Sequence, residues 1–573
     1  MKRRDFVKTV GTGSVLSAVA PSLAHAQRVD AVGDLVKPES GVLEGRAHRG
    51  VWGRNGVVAT AHGLASLAGL RMLLKGGNAV DAAIAASAAL NVVEPYMSGI
   101  GGWGGYMMIY LAKERKTIGL DGVGISPAAS ALGKITELEC DEGYKAPVVP
   151  GSLGTWAEAL KRYGTMSLGD VFEPAIDLAE QGVPLTRYNA QTFAGSAQKL
   201  SKFPTSAAIF LPGGKSPREG QILAQKDLAR TFRRVALDGP DVFYKGEIAE
   251  KIVKFFQQHG GFLTMADMAA YTPRLREPIE ITFQGYTLHG LPPGSCEMTM
   301  FQTLNMVDRL DLKKMDVYSV EFAHSWLEAM KLAFLDDDRY NTAKDNVEIP
   351  VSRLISAKYA DEQRAKIHRG KVARFPGLPL LPIGTTSLAT ADRFGNVVAF
   401  TQSHVSGFGS GVVAGDTGVV LNNGHRFGFV LDPNHVNALA GGQHAKGVMC
   451  PTIVMKRDKV VMGLGAAGGY TIPQTVGQVI TKVLGYGYDL QRAIASPRLI
   501  LNRDGGRVPI ENDEQTYGES GYPEPILAGL QKLGHKLSTP GNGGAVQGVY
   551  IDPESGGISG GSDPRRDGHA LAW

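Results

Sequence analysis

Two adjacent threonines, Thr385 and Thr386, follow Gly384 and open the segment TTSLATAD. A threonine hydroxyl inside a chain is a weak nucleophile. A threonine that begins a chain carries its own base, because an α-amine has a pKa of about 8 and is partly neutral at working pH. Covalent geometry then holds base and nucleophile together. A cut after Gly384 would create such a residue, although the pair taken alone indicates no more than β-branched residues that open a strand.

Other common catalytic motifs are missing from the sequence. FGSGV at 408–412 is only a partial match to the G-x-S-x-G elbow and lacks its strand-to-helix turn. There is no H-E-x-x-H motif and no Cys/His cluster, so neither a metal nor an organic cofactor is predicted. The glycine-rich GIGGWGG after Ser98 lacks the Lys-Ser/Thr of a phosphate-binding loop.

The composition excludes several classes of protein. The chain has 573 residues, 43% hydrophobic and 20% charged, which suits one large or two to three smaller globular domains. Its net charge is +5 with no dense run of Lys or Arg, so no nucleic-acid partner is predicted. The 74 glycines follow no period, which excludes a collagen-like chain. Cys140, Cys296 and Cys450 allow at most one disulfide.

The first 26 residues are typical of an export signal. A basic start with Arg3 and Arg4 precedes a mildly apolar run, and AHA at 24–26 fits a signal-peptidase site. The arginine pair resembles a twin-arginine signal, so a periplasmic or secreted protein is predicted. The alternative is a short membrane anchor, but the run is too short and too glycine-rich for stable membrane insertion.

The order of elements predicts the fold class. Residues 56–93 indicate a strand and two helices, and residues 150–360 are mostly helical. From Thr385 the residue pattern changes from helical to strand-like. TSLATAD and NVVAFTQS are predicted strands joined by RFG, and GVVLNN, PTIVM and KVVMGLG are further predicted strands. Two helical segments follow, and the end of the chain returns to strands. Strands flanked by helices on both sides predict a four-layer α/β sandwich.

Nine segments appear in a fixed order that closely resembles the γ-glutamyltranspeptidase family. They are GGNAVDAAIAA, VPGSLGTWAEALKRYGTMSL, FYKGEIAEKIV, GGFLTMADMAAY, EAMKLAF, GTTSLATADRFGNVVAFTQS, FGSGVVAGDTGVVLNN, PTIV and GAAGG. The resemblance runs from about residue 56 to SDPRRDG near the end. It implies an αββα N-terminal nucleophile hydrolase whose precursor cuts itself. The products would be a large chain, 27–384, and a small chain, 385–573, held together as a heterodimer.

The resemblance also assigns residues to the reaction. Thr385 matches the family's nucleophile, and Ser403 stands where the family has a threonine that hydrogen-bonds the new N-terminus. Gly468 and Gly469 match the paired glycines whose N–H groups hold the oxyanion. Gly384 and Thr385 would form the cleavage site.

The chain departs from the family where an amino-acid head group would be bound. An arginine position is occupied by Val123, and an adjacent serine pair by Gly447 and Val448. In LNNGHRFGF, the amide and acidic positions fall on Gly424, His425, Arg426 and Phe427. Arg426 reverses the sign of charge in this loop. Asn423, His425 and Arg426 are the candidate substrate-binding residues.

These features predict an amide hydrolase or acyltransferase that acts on a small carboxylate-bearing amide lacking an α-ammonium. The alternative for Arg426 is a solvated loop residue. Oxamate amidohydrolase and glutaryl-type cephalosporin acylases of the same superfamily also have to bind an acyl donor of this kind. The segment FGSGVV…DTG resembles the oxamate-type branch. One alternative function is a true γ-glutamyltransferase or glutathione hydrolase. A second is a non-catalytic periplasmic binding protein on the same scaffold. The choice between hydrolysis and transfer stays open.

Overall fold

The computed structural model describes residues 50–375, 384–503, 514–519, 521–538 and 544–573, so the predicted export signal lies outside it. The strands are Val51–Gly53 (β1), Gly56–Thr60 (β2), Gly104–Leu111 (β3), Lys116–Asp121 (β4), Val183–Pro184 (β5), Ile222–Leu223 (β6), Arg274–Arg276 (β7), Ile279–Phe283 (β8), Tyr286–Gly290 (β9), Thr385–Asp392 (β10), Val397–Ser403 (β11), Thr452–Lys456 (β12), Lys459–Ala467 (β13), Leu499–Arg503 (β14), Glu514–Gly518 (β15), Ala545–Ile551 (β16), Ile558–Ser562 (β17) and His569–Ala572 (β18).

The helices are Gly63–Leu74 (α1), Ala79–Val93 (α2), Glu137–Asp141 (α3), Ser152–Tyr163 (α4), Leu168–Gln181 (α5), Arg187–Ser201 (α6), Pro204–Phe210 (α7), Lys226–Asp238 (α8), Asp241–Tyr244 (α9), Glu247–Gln258 (α10), Met265–Ala270 (α11), Glu297–Val307 (α12), Val320–Tyr340 (α13), Val351–Leu354 (α14), Ala357–Arg364 (α15), His425–Gly428 (α16), Thr471–Ile480 (α17), Leu490–Ala495 (α18) and Glu524–Leu533 (α19). Within the described ranges, no helix is both long and apolar enough to cross a membrane.

Two seven-stranded antiparallel sheets stack face to face between layers of helices. One sheet has the order β18-β2-β10-β11-β3-β4-β7 and the other β1-β17-β16-β13-β12-β9-β8. Strands β10 and β11 contact β13 and β16 across the interface between the sheets, while α1 and α2 cover the first sheet and α12 and α17 the second. This arrangement confirms the four-layer αββα sandwich.

Strand β10 lies near the middle of its sheet and is buried on both faces. It pairs with β2 on one side and with β11 on the other. Side chains alternate between the faces of a strand. Leu388 accordingly packs with the helices, whereas Ala389 packs with the core that includes the opposite sheet. Every residue of β10 is buried, so the strand offers no solvated face.

Helix α2 covers the rear of β10 because its sequence is rich in alanine. All of its residues are buried, and small side chains let the helix approach the sheet closely. Asn78 caps its first turn, and the Asp81 carboxylate accepts a hydrogen bond from the Asn78 N–H. Asp392, at the end of β10, accepts a hydrogen bond from the Ala79 N–H at 2.9 Å. The start of α2 is thereby fixed beside the end of β10.

The structure departs from the sequence-based expectation at one predicted strand. GVVLNN at 418–423 is not a strand, because only an isolated bridge between Val420 and Val413 forms there. Its backbone groups instead bind nearby loops, as in the Leu421 N–H to Val412 carbonyl bond of 3.1 Å. The three cysteines are buried free thiols, so the one disulfide that their number allowed is not formed in this structure.

Candidate active site

Thr385 opens β10 with its side chain toward the space between the sheets. It lies on the same face as Ser387, whose Oγ would be 2.8 Å from a Cβ placed on Gly465 of the facing strand β13. Thr386 points the other way, and its hydroxyl donates to Glu94 Oε2 at 2.9 Å at the end of α2. The period of the strand therefore gives the two threonines different environments.

Three hydrogen bonds meet at Ser403 Oγ and connect it to Thr385, Gly384 and Val405. Ser403 Oγ lies 2.9 Å from Thr385 Oγ1, 2.7 Å from the Gly384 carbonyl oxygen and 2.7 Å from the Val405 N–H. The carbonyl can only accept, so the Ser403 proton goes to Gly384. Thr385 must then donate its own proton to Ser403. This leaves the lone pairs of Thr385 Oγ1 free and polarises the carbonyl before it.

The peptide before Thr385 is held in a site that admits only glycine. The Gly384 carbonyl accepts a second hydrogen bond, from the His404 N–H at 2.9 Å. A Cβ at Gly384 would lie 2.3 Å from the backbone carbonyl of Ser406, which is far inside contact distance. The glycine is therefore required by the close approach of the 404–406 backbone.

The Ser403 hydroxyl is held in place by an unusual backbone conformation. Val405 has a φ of 84°, in the region that β-branched residues rarely occupy. Such a conformation costs about 1–3 kcal/mol and persists only where surrounding contacts enforce it. Here it turns the Val405 N–H back toward Ser403 Oγ. The hydrogen bond from Val405 occupies one lone pair of Ser403 Oγ and thereby helps to orient the Ser403 hydroxyl.

Gly468 and Gly469 form the turn between β13 and α17. Their φ values are 136° and 63°, a conformation that favours glycine at both positions. Within the described part of the chain, no protein acceptor bonds to either N–H. Tyr470 follows directly, and its ring packs 5.3 Å from that of Phe427. The turn is thereby linked to the loop that carries the candidate substrate-binding residues.

Two of those candidates serve the loop itself. Asn423 is fully buried, accepts from the Ser406 N–H at 3.0 Å, and donates to Ser406 Oγ and to the Asp141 carbonyl. His425 bonds the Lys145 carbonyl through Nδ1 at 2.9 Å and Ser130 Oγ through Nε2 at 2.9 Å. Both side chains hydrogen-bond to protein partners, and these contacts position the loop.

Arg426, the third candidate, is paired with an acid. Its Nε lies 3.1 Å from Asp141 Oδ1 at the end of α3, and its side chain is 11% exposed. The reversal of charge predicted for this loop is therefore partly offset by Asp141. Arg426 is a nearly buried ion-pair partner and not a solvated residue.

A family profile described as Gamma-glutamyltranspeptidase matches residues 65–573. The chain belongs to the γ-glutamyltranspeptidase family. It is 36% identical to the glutathione hydrolase proenzyme of Bacillus subtilis (strain 168), over 91% of this chain and 92% of that one. It is 30% identical to the oxamate amidohydrolase proenzyme of Klebsiella pneumoniae, over 91% and 98%. The crystal structure of cephalosporin acylase from Bacillus halodurans superposes with a TM-score of 0.83, at 34% identity over 94% and 99%.

Membership of the γ-glutamyltranspeptidase family makes this chain an enzyme of the N-terminal nucleophile hydrolase type. Three of the positions where it departs from the family's head-group residues, Val123, Gly424 and Phe427, are apolar here. Val123 is buried, and a Cβ at Gly424 would lie 2.5 Å from Val148 Cγ2 and 2.9 Å from Trp103 Cδ1. Phe427 packs its ring 6.1 Å from that of Trp103. No room is left at Gly424 for an amide side chain.

Sequence reasoning missed two ionisable residues behind the candidate active site. Arg566 Nη1 donates to the Thr385 carbonyl at 2.9 Å, and Glu94 accepts from Thr386. Burial raises the pKa of Glu94 to about 7, against the opposing effects of Arg566 and of the Thr386 hydrogen bond. Arg566 stands in the SDPRRDG segment and Glu94 in NVVEP, but neither is near Thr385 in sequence.

One group of residues in the described ranges brings possible metal ligands together. Atoms of His324, Glu328 and His535 lie within 4.8 Å of one another. His324 Nδ1 and His535 Nε2 hydrogen-bond each other at 2.8 Å, while Glu328 pairs with the buried Lys331 at 2.8 Å. These contacts engage the ligand atoms with protein partners.

His425 is expected to make stability depend on pH. Burial lowers its pKa to about 4, despite opposing hydrogen bonds to the Lys145 and Ala146 carbonyls. Below about pH 6.5 the unfolded chain binds a proton that the folded chain refuses. This side chain therefore lowers the free energy of unfolding by about 2 kcal/mol when the pH falls from 7 to 5.

The His425→Gln variant should lose this pH-dependent contribution, because a glutamine amide does not titrate. The amide can still donate a hydrogen bond to the Lys145 carbonyl. We expect its free energy of unfolding, measured with denaturant, to fall less than that of the natural chain between pH 7 and pH 5. The His259→Gln variant, at an exposed histidine, controls for the loss of an imidazole. Equal losses in the natural chain and in the His425 variant would contradict the assignment.

Proposed function

We propose that this protein is a self-processing amide hydrolase or acyltransferase whose nucleophile is Thr385. The observation that carries the proposal is the hydrogen-bond chain from Thr385 Oγ1 through Ser403 Oγ to the Gly384 carbonyl. It joins the Thr385 hydroxyl and the carbonyl that precedes it to one shared partner, and it supplies that carbonyl with a donor. Residues 385–573 would form the small chain and 27–384 the large one, after export through the twin-arginine-type signal.

Cleavage would proceed through an ester. Thr385 Oγ1 attacks the Gly384 carbonyl carbon, and the carbon–nitrogen bond breaks. The proton that leaves the hydroxyl through Ser403 is taken by the departing nitrogen, which becomes the α-amine of Thr385. Water then adds to the ester carbon, so that Gly384 gains a carboxylate and Thr385 regains its hydroxyl.

Turnover would use the same atoms after cleavage. The α-amine takes the proton of the Thr385 hydroxyl as its oxygen attacks the substrate amide, and then passes it to the leaving amine. Water or another amine resolves the acyl-enzyme. The N–H groups of Gly468 and Gly469 would hold the oxyanion, since glycine allows the backbone to approach the reacting carbonyl closely.

The shape of the site supports a substrate without an amino-acid head group. The wall formed by Val123, Gly424, Phe427 and Trp103 carries no group that would hold an α-ammonium. Arg426 directly precedes Phe427 of this wall in the sequence, and its planar guanidinium suits a carboxylate. We therefore propose a small carboxylate-bearing amide as the acyl donor.

Arg426 and Asp141 provide a test of that substrate class. With Arg426→Gln, we expect the KM of a glutaryl or oxamate amide to rise about 10-fold while the KM of an uncharged acyl amide changes little, because a charge-assisted pair is lost. With Asp141→Asn, Arg426 loses its competing anion, so the KM of the same acidic amide should fall. Steady-state kinetics on the two substrates measures both effects. Parallel changes for acidic and uncharged amides would rule out a carboxylate contact.

A true γ-glutamyltransferase or glutathione hydrolase is the second candidate, favoured by the name of the Bacillus subtilis relative. Turnover of γ-glutamyl, glutaryl and oxamate amides by the processed protein separates the two. Fast γ-glutamyl turnover with no activity on the others would contradict the proposal of a carboxylate-bearing acyl donor without an α-ammonium. It would leave the proposal that Thr385 is the nucleophile intact. A binding protein without catalysis is disfavoured, because Gly384, Thr385 and Ser403 keep a reactive geometry. Denaturing electrophoresis tests it, since a single full-length band is its expected result.

A further inference from the structure

The first three residues of β10 extend past the end of β2. Pairing between these strands begins at Leu388 with Thr60, whereas pairing with β11 begins at Thr385 with Ser403. One edge of the strand start therefore lacks a neighbouring strand. A buried carbonyl there needs another donor. Arg566 supplies it to the Thr385 carbonyl, from the segment that precedes β18.

Glu94 lies at the same end of β10, on the face that carries Thr386. Its carboxyl is fully buried and accepts the Thr386 hydroxyl through Oε2, while Oε1 has no hydrogen-bond partner among the described residues. The positive charge of Arg566 lowers the pKa of Glu94, which places the two charges within range of each other. Two opposite charges thus face the rear of the nucleophile's peptide.

The titratable side chains around this end of β10 come from four segments: Glu94 and Tyr96 at and after the end of α2, His404 after β11, Arg566 and Asp567 before β18, and His62 before α1. Burial lowers the pKa of His404 to about 3 and that of His62 to about 4, so both rings are neutral near pH 7. Burial raises the pKa of Tyr96, so its phenol is also neutral. The charges that remain among these described residues are those of Arg566 and Asp567, of Glu94 in its ionised form, and of Lys199 on α6, which acts on His404.

Arg566 lies close enough to the Thr385 nitrogen for its charge to influence the protonation of that nitrogen. The nitrogen and carbonyl oxygen of one residue lie about 3–4 Å apart, and Arg566 Nη1 lies 2.9 Å from that oxygen. A cation within about 7 Å in a partly buried site favours the uncharged form of an amine. A carboxylate at a similar distance favours the ammonium.

We propose that Arg566 and Glu94 are positioning residues that hold the start of β10 from behind and set, with opposite signs, the charge state of the α-amine that cleavage creates at Thr385. The proposal rests on the proposed function, because only a cut chain has this amine. Arg566 keeps the amine in the free-base form that can accept the hydroxyl proton. Ionised Glu94 opposes this effect, so the pair tunes the pH at which the enzyme becomes active.

The test is the pH dependence of kcat/KM for the processed enzyme, whose rising limb reports the pKa of the catalytic base. We expect Arg566→Gln to move that limb upward by about one pH unit and Arg566→Lys to leave it within a few tenths of a unit. Glu94→Gln should move it downward. A merely structural role would lower kcat without moving the limb in opposite directions.

Two results would overturn the proposal: a limb that stays in place in a cut and active Arg566→Gln variant, or an upward or absent shift with Glu94→Gln. If Arg566→Gln is not cut, the Glu94→Gln profile still decides. Failure of the proposed function has a different signature, because the natural chain would then show one full-length band on a denaturing gel.

Discussion

The Thr385→Ala variant should remain a single uncut chain and show no amide turnover. Alanine removes the hydroxyl that hydrogen-bonds to Ser403 beside the Gly384 carbonyl. Cleavage then has no nucleophile, and without cleavage no α-amine exists to serve as base. We expect activity to fall by a factor on the order of 10⁴ or more, as when a covalent nucleophile is removed from other hydrolases. Denaturing electrophoresis and N-terminal sequencing of the small chain measure the first effect.

The matched control is Thr390→Ala, on the same strand. Its hydroxyl donates to the Ala79 carbonyl at 2.7 Å on the face toward α2. Losing that bond costs about 1 kcal/mol of stability but leaves the cleavage site complete. This variant should be cut with a new N-terminus at Thr385. A cut and active Thr385→Ala protein would refute the assignment of the nucleophile, whatever the control shows.

The Ser403→Ala variant should be cut about 100-fold more slowly than the natural chain. The change removes a donor from the Gly384 carbonyl and the acceptor of the Thr385 proton together. Loss of one oxyanion donor costs a factor of about 10²–10³ in related chemistry. Ser403→Thr keeps the hydroxyl and should restore cleavage. The time course of band splitting during expression or refolding gives the rates.

Ser410 provides a control with the same local pattern. Its hydroxyl donates to the Leu421 carbonyl at 2.8 Å and accepts from the N–H two residues on, as Ser403 does with Gly384 and Val405. Ser410→Ala should therefore lose similar stability, about 1–3 kcal/mol, while it is cut at the natural rate. Equal slowing in the two variants would show that Ser403 acts only through folding.

Much of the candidate site could be predicted from short segments of sequence. The order of strands and helices and the glycine before the threonines are local features, because propensity, turn residues and strand period act over a few positions. The failure at GVVLNN has a local cause too. Its residues resemble a strand, but tertiary contacts with neighbouring loops use the backbone groups that a ladder would need.

The assignments to Asn423 and His425 show the opposite limit. Their polar side chains and their place in the loop suggested ligand contacts, whereas the structure engages them with Ser406, Lys145 and Ser130. A sequence states which polar groups are present but not which of them are satisfied inside the protein. Arg426 keeps a possible role at the substrate, although its charge is shared with Asp141.

The sequence by itself determined the reaction class and the fold, because ordered segments and an eight-residue strand carry them locally. Only the tertiary structure decided what surrounds the threonines. Thr386 meets Glu94 across 292 residues of sequence, and Thr385 meets Arg566 across 181. Contacts between such distant residues depend on how the sheets and helices stack, and no local pattern encodes that. Gly384 and Thr385 could thus be singled out from ordered segments of the sequence, whereas the charges behind them required the folded chain.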